Sequence, residues 1–249
     1  MPFSVVAWSE SQDSATLLTL SAVTDPHIRT SADDVVVPGF ATQLLGGWAI
    51  GVNLTQAQLA SPSLRRIVNL DLSPFDRATL PATNPRFVSR THAPIPLEKG
   101  EALNALASED GVGATRETAI AILGDKAPAL ETRPSYTVRA TGTTTLVAFA
   151  WSNVTLTFSQ SLPAGKYDIV GAFCRSAGAL AFRLVIPGSN FRPGGIGMTN
   201  DFDNGIKEQR HGYWGIWGSF ETEQPPTVDV LAATADTAET VYLDLVKTA

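Results

Sequence analysis

The side chains that most often perform catalysis or bind metals are few in this chain and lie far apart in the sequence. The three histidines are His27, His92 and His211, and none belongs to a His-x-His or His-x-x-x-His pair of the kind that binds copper or iron on double β-sandwiches. A cupin would also need a Glu soon after a His-x-His, and neither half of the chain has this pattern. We expect His27 and His92 in surface turns, and His211 in a loop or in packing.

The single thiol, Cys174, gives no indication of nucleophilic or redox chemistry. It lies in an alternating segment, Ile169–Arg175, which predicts a small buried side chain. One cysteine excludes an intramolecular disulfide and the zinc sites that need several cysteines. The chain has no Gly-x-Ser-x-Gly elbow, and the glycine-rich run at Gly194 lacks the Lys-Ser/Thr of a phosphate-binding loop.

One acidic run, Asn200–Gly205, has residue types that bind calcium. It contains Asp201 and Asp203, but its glycine comes one position too early for an EF-hand and no downstream Glu fits. A turn capped by Asx side chains accounts for the same residues, so both interpretations stay open. Taken together, the candidate residues predict no catalytic, cofactor-binding or metal site, and a protein that is not an enzyme.

The segments that would position these residues mostly alternate between apolar and polar side chains with period two. Thr, Val and aromatic residues fill them, as is typical of half-buried strands. Turn formers such as Pro38-Gly39 and Pro163-Ala164-Gly165 separate them. Clear examples are residues 144–151, 154–158, 167–173 and 241–246.

Helical patterns are limited to two weak segments. Pro62 interrupts Thr55–Arg66, and Gly100 weakens Glu98–Ser108, so each predicts at most a short helix. We therefore expect an all-β fold of two tandem jelly-roll β-sandwiches with one or two short helices.

A faint repeat relates the two halves of the chain at an offset of 125 residues. Leu44–Trp48 aligns with Ile169–Phe173, and the end segment Glu117–Leu123 resembles Glu239–Leu245. Between the halves, residues 126–135 are polar, contain two prolines and resemble a linker. We expect one jelly roll in residues 1–130 and a second in residues 131–249. In the repeat at offset 125, the identical pairs are Pro38 with Pro163, Gly46 with Gly171, Leu59 with Leu184 and Pro62 with Pro187.

Composition and charge exclude several classes of protein. The 249 residues are 44% hydrophobic and 17% charged, which excludes an intrinsically disordered chain and a coiled coil. The net charge is −6 and no basic arm is present, so we expect no direct nucleic-acid binding. The first residues do not resemble a secretory signal, and no run of apolar residues is long enough to predict a membrane span.

The aromatic segment Tyr213–Phe220 is the strongest candidate for an interaction site. Strand alternation would place Trp214 and Trp217 on opposite faces, so that both faces need a cover. We expect Trp214 and Trp217 at an interface, either with another subunit or between the two halves. A sugar-stacking platform or an incidentally exposed indole are the alternatives.

The repeated segments 38–62 and 163–187, the paired terminal strands at Glu117 and Glu239, and the long Pro/Gly loops resemble the double jelly-roll major capsid proteins of icosahedral, phage-type viruses. The resemblance is architectural and covers most of the chain. It implies a viral structural protein, made in the host cytoplasm and located in the virion, that tiles the shell as trimeric pseudo-hexagonal capsomers. The implied partners are copies of itself, neighbouring capsomers and other virion proteins, with an internal membrane left open.

Two other functions fit the same architecture. One is another virion component, such as a spike or decoration protein, which the copy number per particle would distinguish from a major capsid protein. The other is a two-domain carbohydrate-binding or glycan-processing β-sandwich protein. An extracellular enzyme of that kind would normally have a signal segment and often disulfides, and the sequence shows neither.

Overall fold

The β-strands predicted from alternation dominate the computed structural model, which describes residues 3–66, 71–72, 87–125, 134–198, 209–210 and 212–249. Contacts divide the chain into an N-terminal unit, Val6–Ala127, and a C-terminal unit, Pro128–Ala249 together with Met1–Val5. Most of the expected linker, residues 126–135, lies outside the described residues. The division therefore differs from the expected ranges mainly in assigning residues 1–5 to the C-terminal unit.

The N-terminal unit is built from strands that form two sheets within the described residues. One sheet has the order β1-β11-β5-β8, with β9 also paired with β5, and the other has the order β3-β4-β10-β6-β7, with β2 paired with β10. The strands are β1 (Phe3–Gln12), β2 (Leu18–Thr19), β3 (Thr30–Ser31), β4 (Asp34–Val36), β5 (Gln43–Gly51), β6 (Leu54–Ala60), β7 (Asp71–Leu72), β8 (Val88–Ser89), β9 (Ile95–Pro96), β10 (Ala102–Glu109) and β11 (Thr115–Gly124).

The strands of the C-terminal unit form one continuous sheet, in the order β13-β19-β16-β17-β15-β20-β12-β14, with β18 also paired with β15. The sheet is continuous because β17 pairs with β16 antiparallel and with β15 parallel. The strands are β12 (Tyr136–Gly142), β13 (Trp151–Val154), β14 (Thr157–Phe158), β15 (Lys166–Arg175), β16 (Ala179–Val185), β17 (Gly194–Met198), β18 (Gly218–Glu221), β19 (Thr227–Ala232) and β20 (Glu239–Lys247).

Both units have the strand order of a jelly roll. In the N-terminal unit the last strand, β11, lies between β1 and β5, and the preceding strand, β10, lies between β4 and β6. In the C-terminal unit β20 lies between β12 and β15, and β19 lies between β13 and β16. If β1, β4, β5 and β6 are counted as the first four longer strands of one unit, their counterparts in the other are β12, β13, β15 and β16. In both units the first and third of these flank the last strand, and the second and fourth flank the strand before it. The fold is an all-β sandwich fold with this order repeated in tandem.

The repeat seen in the sequence corresponds to equivalent strands in the two units. Trp48 of β5 pairs with Ile120, and Phe173 of β15 pairs with Tyr242, so the two aromatic residues hold the same register position. Both side chains are buried. The end segments also correspond, because Glu117–Leu123 lies in β11 and Glu239–Leu245 lies in β20.

The prediction of a helix over Glu98–Ser108 is wrong, because β10 occupies most of this range. Leu103, Ala105 and Ala107 are buried at period two, and β10 pairs along its length with β6. These cross-strand hydrogen bonds and side-chain contacts outweigh the helix propensity of Ala and Leu.

The second predicted helix, over Thr55–Arg66, is also largely wrong. Its first part is strand β6, and only Ser63–Arg66, just after Pro62, forms a 3₁₀ helix. Glu101 holds the start of this turn by accepting hydrogen bonds from the Ser63 amide at 3.0 Å and the Ser63 hydroxyl at 2.9 Å. No helix in the described part of the chain is long and apolar enough to cross a membrane.

Candidate functional site

Of the three histidines singled out in the sequence, the structure describes His27 and His92. His27 and His92 are exposed, and the backbone amide of His27 donates to Asp25 Oδ1 at 2.7 Å in an Asx turn. His211, Asp201 and Asp203 lie outside the described residues. Within those residues, no three His, Cys, Asp or Glu side chains gather where they could hold a metal ion.

Cys174 is fully buried in β15, which confirms the prediction of a small buried side chain. Burial raises the pKa of its thiol far above the usual range, and the negative charge of Glu239 adds to the shift. A thiol with a raised pKa and no solvent contact is a poor nucleophile. Cys174 therefore belongs to the packing of the C-terminal unit.

Trp214 and Trp217 are buried against one aromatic ring in the C-terminal unit. They are 3% and 2% exposed, and each packs edge-on against Phe3, with ring centroids 4.9 Å and 5.1 Å apart. Edge-to-face packing at these distances is favourable beyond the area it buries. Both indoles therefore lie in the core of this unit, and their expected role at a subunit interface stays a prediction.

The strand alternation predicted for Tyr213–Phe220 is wrong, because the strand begins only at Gly218. Gly212 and Gly215 have φ values of +77° and +67°, which favour glycine and turn the chain before the strand. The turn directs both indoles inward and leaves Tyr213 and Ile216 exposed at 43% and 39%. Two glycines three residues apart were the signal in the sequence for this turn.

The N-terminal segment that carries Phe3 is bound to the C-terminal unit by backbone and side-chain hydrogen bonds. The amide of Val5 donates to the Arg192 carbonyl at 3.1 Å, and the Arg192 amide donates to Ser4 Oγ at 3.0 Å. Arg183 Nη1 also donates to the Val5 carbonyl at 3.3 Å. These contacts explain why residues 3–5, at the start of β1, belong to this unit.

A buried ion pair lies next to this segment. Arg183 Nε is 3.0 Å from Asp229 Oδ2, and the guanidinium stacks over the Trp151 ring at 4.1 Å. Asn153 Nδ2 donates to the other carboxylate oxygen of Asp229 at 2.8 Å. The charges of Arg183 and Asp229 compensate each other, and further hydrogen bonds satisfy both side chains. The pair therefore links β16 to β19 and has a structural role.

A pair of buried carboxyl groups lies at the β10–β11 junction of the N-terminal unit. Glu109 at the end of β10 is 1% exposed, and Glu117 in β11 is fully buried. Thr115 Oγ1 lies 2.6 Å from Glu109 Oε2, 2.9 Å from Glu117 Oε1 and 2.7 Å from the Val52 carbonyl oxygen. Glu117 also occupies the space above Gly51, where an added Cβ would lie only 1.6 Å from Oε2.

The C-terminal unit places a second carboxyl pair at the corresponding junction, before β20. Asp236 Oδ2 accepts from Ser176 Oγ at 2.6 Å and from the Ala177 amide at 2.7 Å, and Oδ1 accepts from the Thr237 amide at 2.8 Å. These bonds, that of Ser176 first, lower the pKa of Asp236. The Asp236 side chain therefore favours its ionised form and links its own loop to Ser176 and Ala177.

Glu239, three residues further on, has the opposite environment. It is 1% exposed, and neither carboxyl oxygen has a hydrogen-bond partner in the described structure. Burial raises its pKa, and the charge of Asp236 adds to the shift. Glu239 therefore favours its protonated form more than an exposed glutamic acid does.

An open pocket of about 430 Å³ lies beside this second pair. Cationic, acidic and hydroxyl side chains line it, and its volume suits a small polar molecule. The Ser176 hydroxyl contacts the Asp236 carboxylate in this lining, but the lowered pKa of Asp236 makes it a weak base, so we assign the pocket no reaction. Its polar lining includes Arg139, Thr141, Arg175, Ser176, Asp236 and Glu239.

Neither carboxyl pair was predicted as a site from the sequence. Glu117 and Glu239 appeared only as matching ends of the repeat, although a Glu at the start of an otherwise apolar strand was a usable signal. Comparison of the chain with protein-family models, curated proteins and solved structures finds no match. The function proposed below therefore depends on strand topology and on the residues themselves.

Proposed function

We propose that this protein is a structural protein of an icosahedral virion, a double jelly-roll major capsid protein that assembles as trimeric pseudo-hexagonal capsomers. The observation that supports this most strongly is the jelly-roll strand order, which occurs in both units. Three copies of a chain with two similar units present six similar units around a three-fold axis, which is the requirement for a pseudo-hexagonal tile.

The residue composition agrees with a tile that buries much of its side surface. Charged residues are 17% of the chain, and the cores of protein interfaces are depleted in charge. The net charge of −6 fits a shell that does not neutralise the genome by itself. Tyr213 and Ile216, exposed and adjacent to the buried indoles, are the first positions at which we expect contact with another copy.

The proposal is tested by determining the oligomeric state and shape of the purified protein. Sedimentation velocity should show a trimer, and electron microscopy should show particles with a hexagonal outline that associate further at high concentration. A protein that stays monomeric at high micromolar concentration would contradict the capsomer. Tyr213→Ser and Ile216→Ser should weaken association without changing the unfolding midpoint, because both side chains are exposed.

Two further measurements distinguish the alternatives. Hundreds of copies per particle support a major capsid protein, whereas tens or fewer support a spike or decoration protein. Specific binding or hydrolysis in a glycan panel would favour the carbohydrate function, and replacing Arg175 and Glu239 would then show whether the pocket is responsible. Any such activity in a strictly monomeric protein would overturn the capsid proposal.

A further inference from the structure

We propose that the carboxyl pair of the N-terminal unit, Glu109 and Glu117, forms a binding site for a divalent cation of the calcium type, completed by Thr115 Oγ1 and the Val52 carbonyl. This site is independent of the proposed capsid function. Four oxygen atoms meet at Thr115, one of them its own hydroxyl oxygen. The hydroxyl oxygen lies 2.6–2.9 Å from one oxygen of each of its three neighbours.

Counting the hydrogens around Thr115 shows why its contact with Glu109 needs a further positive group. A carbonyl and two carboxylates are acceptors only, so the Thr115 hydroxyl supplies one hydrogen for three acceptors. It can satisfy only one of Val52, Glu109 and Glu117. When the hydroxyl donates to Val52 or Glu117, its approach to Glu109 Oε2 at 2.6 Å requires an added proton or a cation.

The second carboxylate oxygen of Glu109 gives an independent indication of a ligand. Glu109 is 1% exposed, and its Oε1 has no hydrogen-bond partner among the residues that the structure describes. A buried carboxylate oxygen without a donor is costly unless a cation or proton compensates its charge. The carboxyl group already reaches Thr115 through Oε2, so Oε1 belongs to the same cluster.

The donor set indicates which cation fits. Two carboxylates, a hydroxyl and a backbone carbonyl are hard oxygen ligands, and the cluster has none of the nitrogen or sulfur ligands that select zinc or copper. Calcium accepts irregular sets of oxygen ligands at about 2.3–2.6 Å, whereas magnesium requires near-octahedral geometry and keeps its waters. We therefore infer that the site binds calcium in preference to magnesium.

The local backbone brings the ligands together from two connections. Val52 follows β5 in a turn whose next residue, Asn53, has a φ of +61°, a conformation that Asn tolerates. Glu109 ends β10, and Thr115 and Glu117 begin β11 on one face of the strand. A bound cation would therefore link the β5–β6 turn to the β10–β11 connection within the unit.

The C-terminal unit shows how the fold neutralises a carboxylate here without a cation. Asp236 accepts hydrogen bonds from Ser176, Ala177 and Thr237. Among the described residues, Glu109 receives only the shared Thr115 hydroxyl. We therefore expect one calcium site per chain from these two junctions, in the N-terminal unit.

The test is calorimetric titration of the full chain, stripped with a chelator, with calcium chloride and in parallel with magnesium chloride. We expect one calcium per chain with a dissociation constant of roughly 0.1–1 mM, in the range of extracellular calcium modules. The unfolding temperature should rise by several degrees at saturating calcium and much less with magnesium. Absence of calcium binding at millimolar concentration would overturn the proposal.

Variants separate this site from nonspecific binding. Glu109→Gln and Glu117→Gln keep the side-chain shape and should each weaken calcium binding at least about tenfold, since each removes one charged ligand. Glu98→Gln, at an exposed position of the same unit, is the control and should bind as the unchanged chain does. If only one Gln variant folds, it suffices for the comparison. Equal calcium affinity in the control and in that variant would contradict the site. Stabilisation by acid with no response to calcium would also contradict it, because a shared proton would then link the two carboxyl groups.

Discussion

Leu45 and Val170 lie 125 residues apart and hold the same position in equivalent strands, because each is the extra residue of a β-bulge. In β5, Leu44 pairs with Leu123 and Gly46 with Ile122, so Leu45 has no opposite residue in β11. In β15, Ile169 pairs with Leu245 and Gly171 with Asp244, so Val170 has none in β20. A bulge bends a strand and increases its twist, so its repetition gives both units the same distortion at one point of the sandwich.

The glycine that follows the first bulge should be essential to the fold of the N-terminal unit. Gly46 has a φ of +153°, and an added Cβ would lie 2.4 Å from the Val88 carbonyl oxygen. We predict that Gly46→Ala lowers the free energy of unfolding by about 2–4 kcal/mol, because it adds a backbone clash to an unfavourable conformation. Urea unfolding followed by fluorescence measures the change.

Gly100→Ala is the matched control for this variant. Gly100 also has a positive φ, +83°, but an added Cβ there would meet nothing within 4 Å. Only the conformational penalty applies, so we expect a loss of about 1 kcal/mol. Equal losses in the two variants would contradict the argument that close contact at the bulge requires glycine.

The parts of the fold that the sequence predicted are those decided by local pattern. Alternation over 167–173 and 241–246 corresponds to strands β15 and β20, but residues 144–150 lie outside the strands. The offset of 125 residues places Trp48 and Phe173 in equivalent register. The prediction of a helix over Glu98–Ser108 was wrong because it depended on the local content of Ala and Leu, which favours a helix. The pairing of β10 with β6, which lies more than forty residues away in the sequence, decides its conformation.

The candidate calcium site could not be predicted from the sequence for the same reason. Thr115 and Val52 are 63 residues apart and meet only because β5 and β11 are neighbours in a sheet. Their contact is a property of sheet register, which no local pattern specifies. The burial of Trp214 and Trp217 also depends on a distant residue, Phe3, which no pattern within the aromatic segment reveals.

Removing the ring of Phe3 should destabilise the C-terminal unit. Phe3 is fully buried and contacts both Trp214 and Trp217. We predict that Phe3→Ala lowers the free energy of unfolding by about 3–5 kcal/mol, as expected for truncating a buried phenylalanine, and increases the quenching of tryptophan fluorescence by iodide. Tyr213→Ala, at an exposed ring nearby, should cost under about 0.5 kcal/mol. Similar stability in the two variants would contradict the packing role of Phe3.

Cys174 should resist thiol reagents while the protein is folded. Its side chain is fully buried, and burial together with the charge of Glu239 raises the pKa of the thiol, so little thiolate is available. We predict labelling by a disulfide reagent at least about a hundredfold slower in the native protein than in denaturant. Native labelling at the denatured rate would show that the strand opens readily or that the thiol is accessible.

Replacing Asp236 should produce a loss of stability that depends on pH. Hydrogen bonds to Ser176, Ala177 and Thr237 lower the pKa of Asp236 in the folded state. Its contribution is therefore present above the unfolded-state pKa and is lost as the pH falls through the folded-state pKa. We predict that Asp236→Asn is less stable than the unchanged chain at neutral pH, and that the difference shrinks as the solution is acidified. A difference that stays constant with pH would indicate that the charge of Asp236 has no part.

Glu239→Gln should show the opposite dependence. Burial and the charge of Asp236 raise the pKa of Glu239 in the folded state, so its contribution is fully present below the unfolded-state pKa and is lost as the pH rises through the folded-state pKa. The glutamine variant keeps the shape of the side chain but cannot ionise. Its stability relative to the unchanged chain should therefore increase as the pH rises from the acidic range to neutrality, as measured by urea unfolding in matched buffers.

Because Asp236→Asn loses relative stability over the same interval, the two variants are controls for each other. Slopes of the same sign would show that the two carboxyl groups do not have the opposite environments that their contacts indicate.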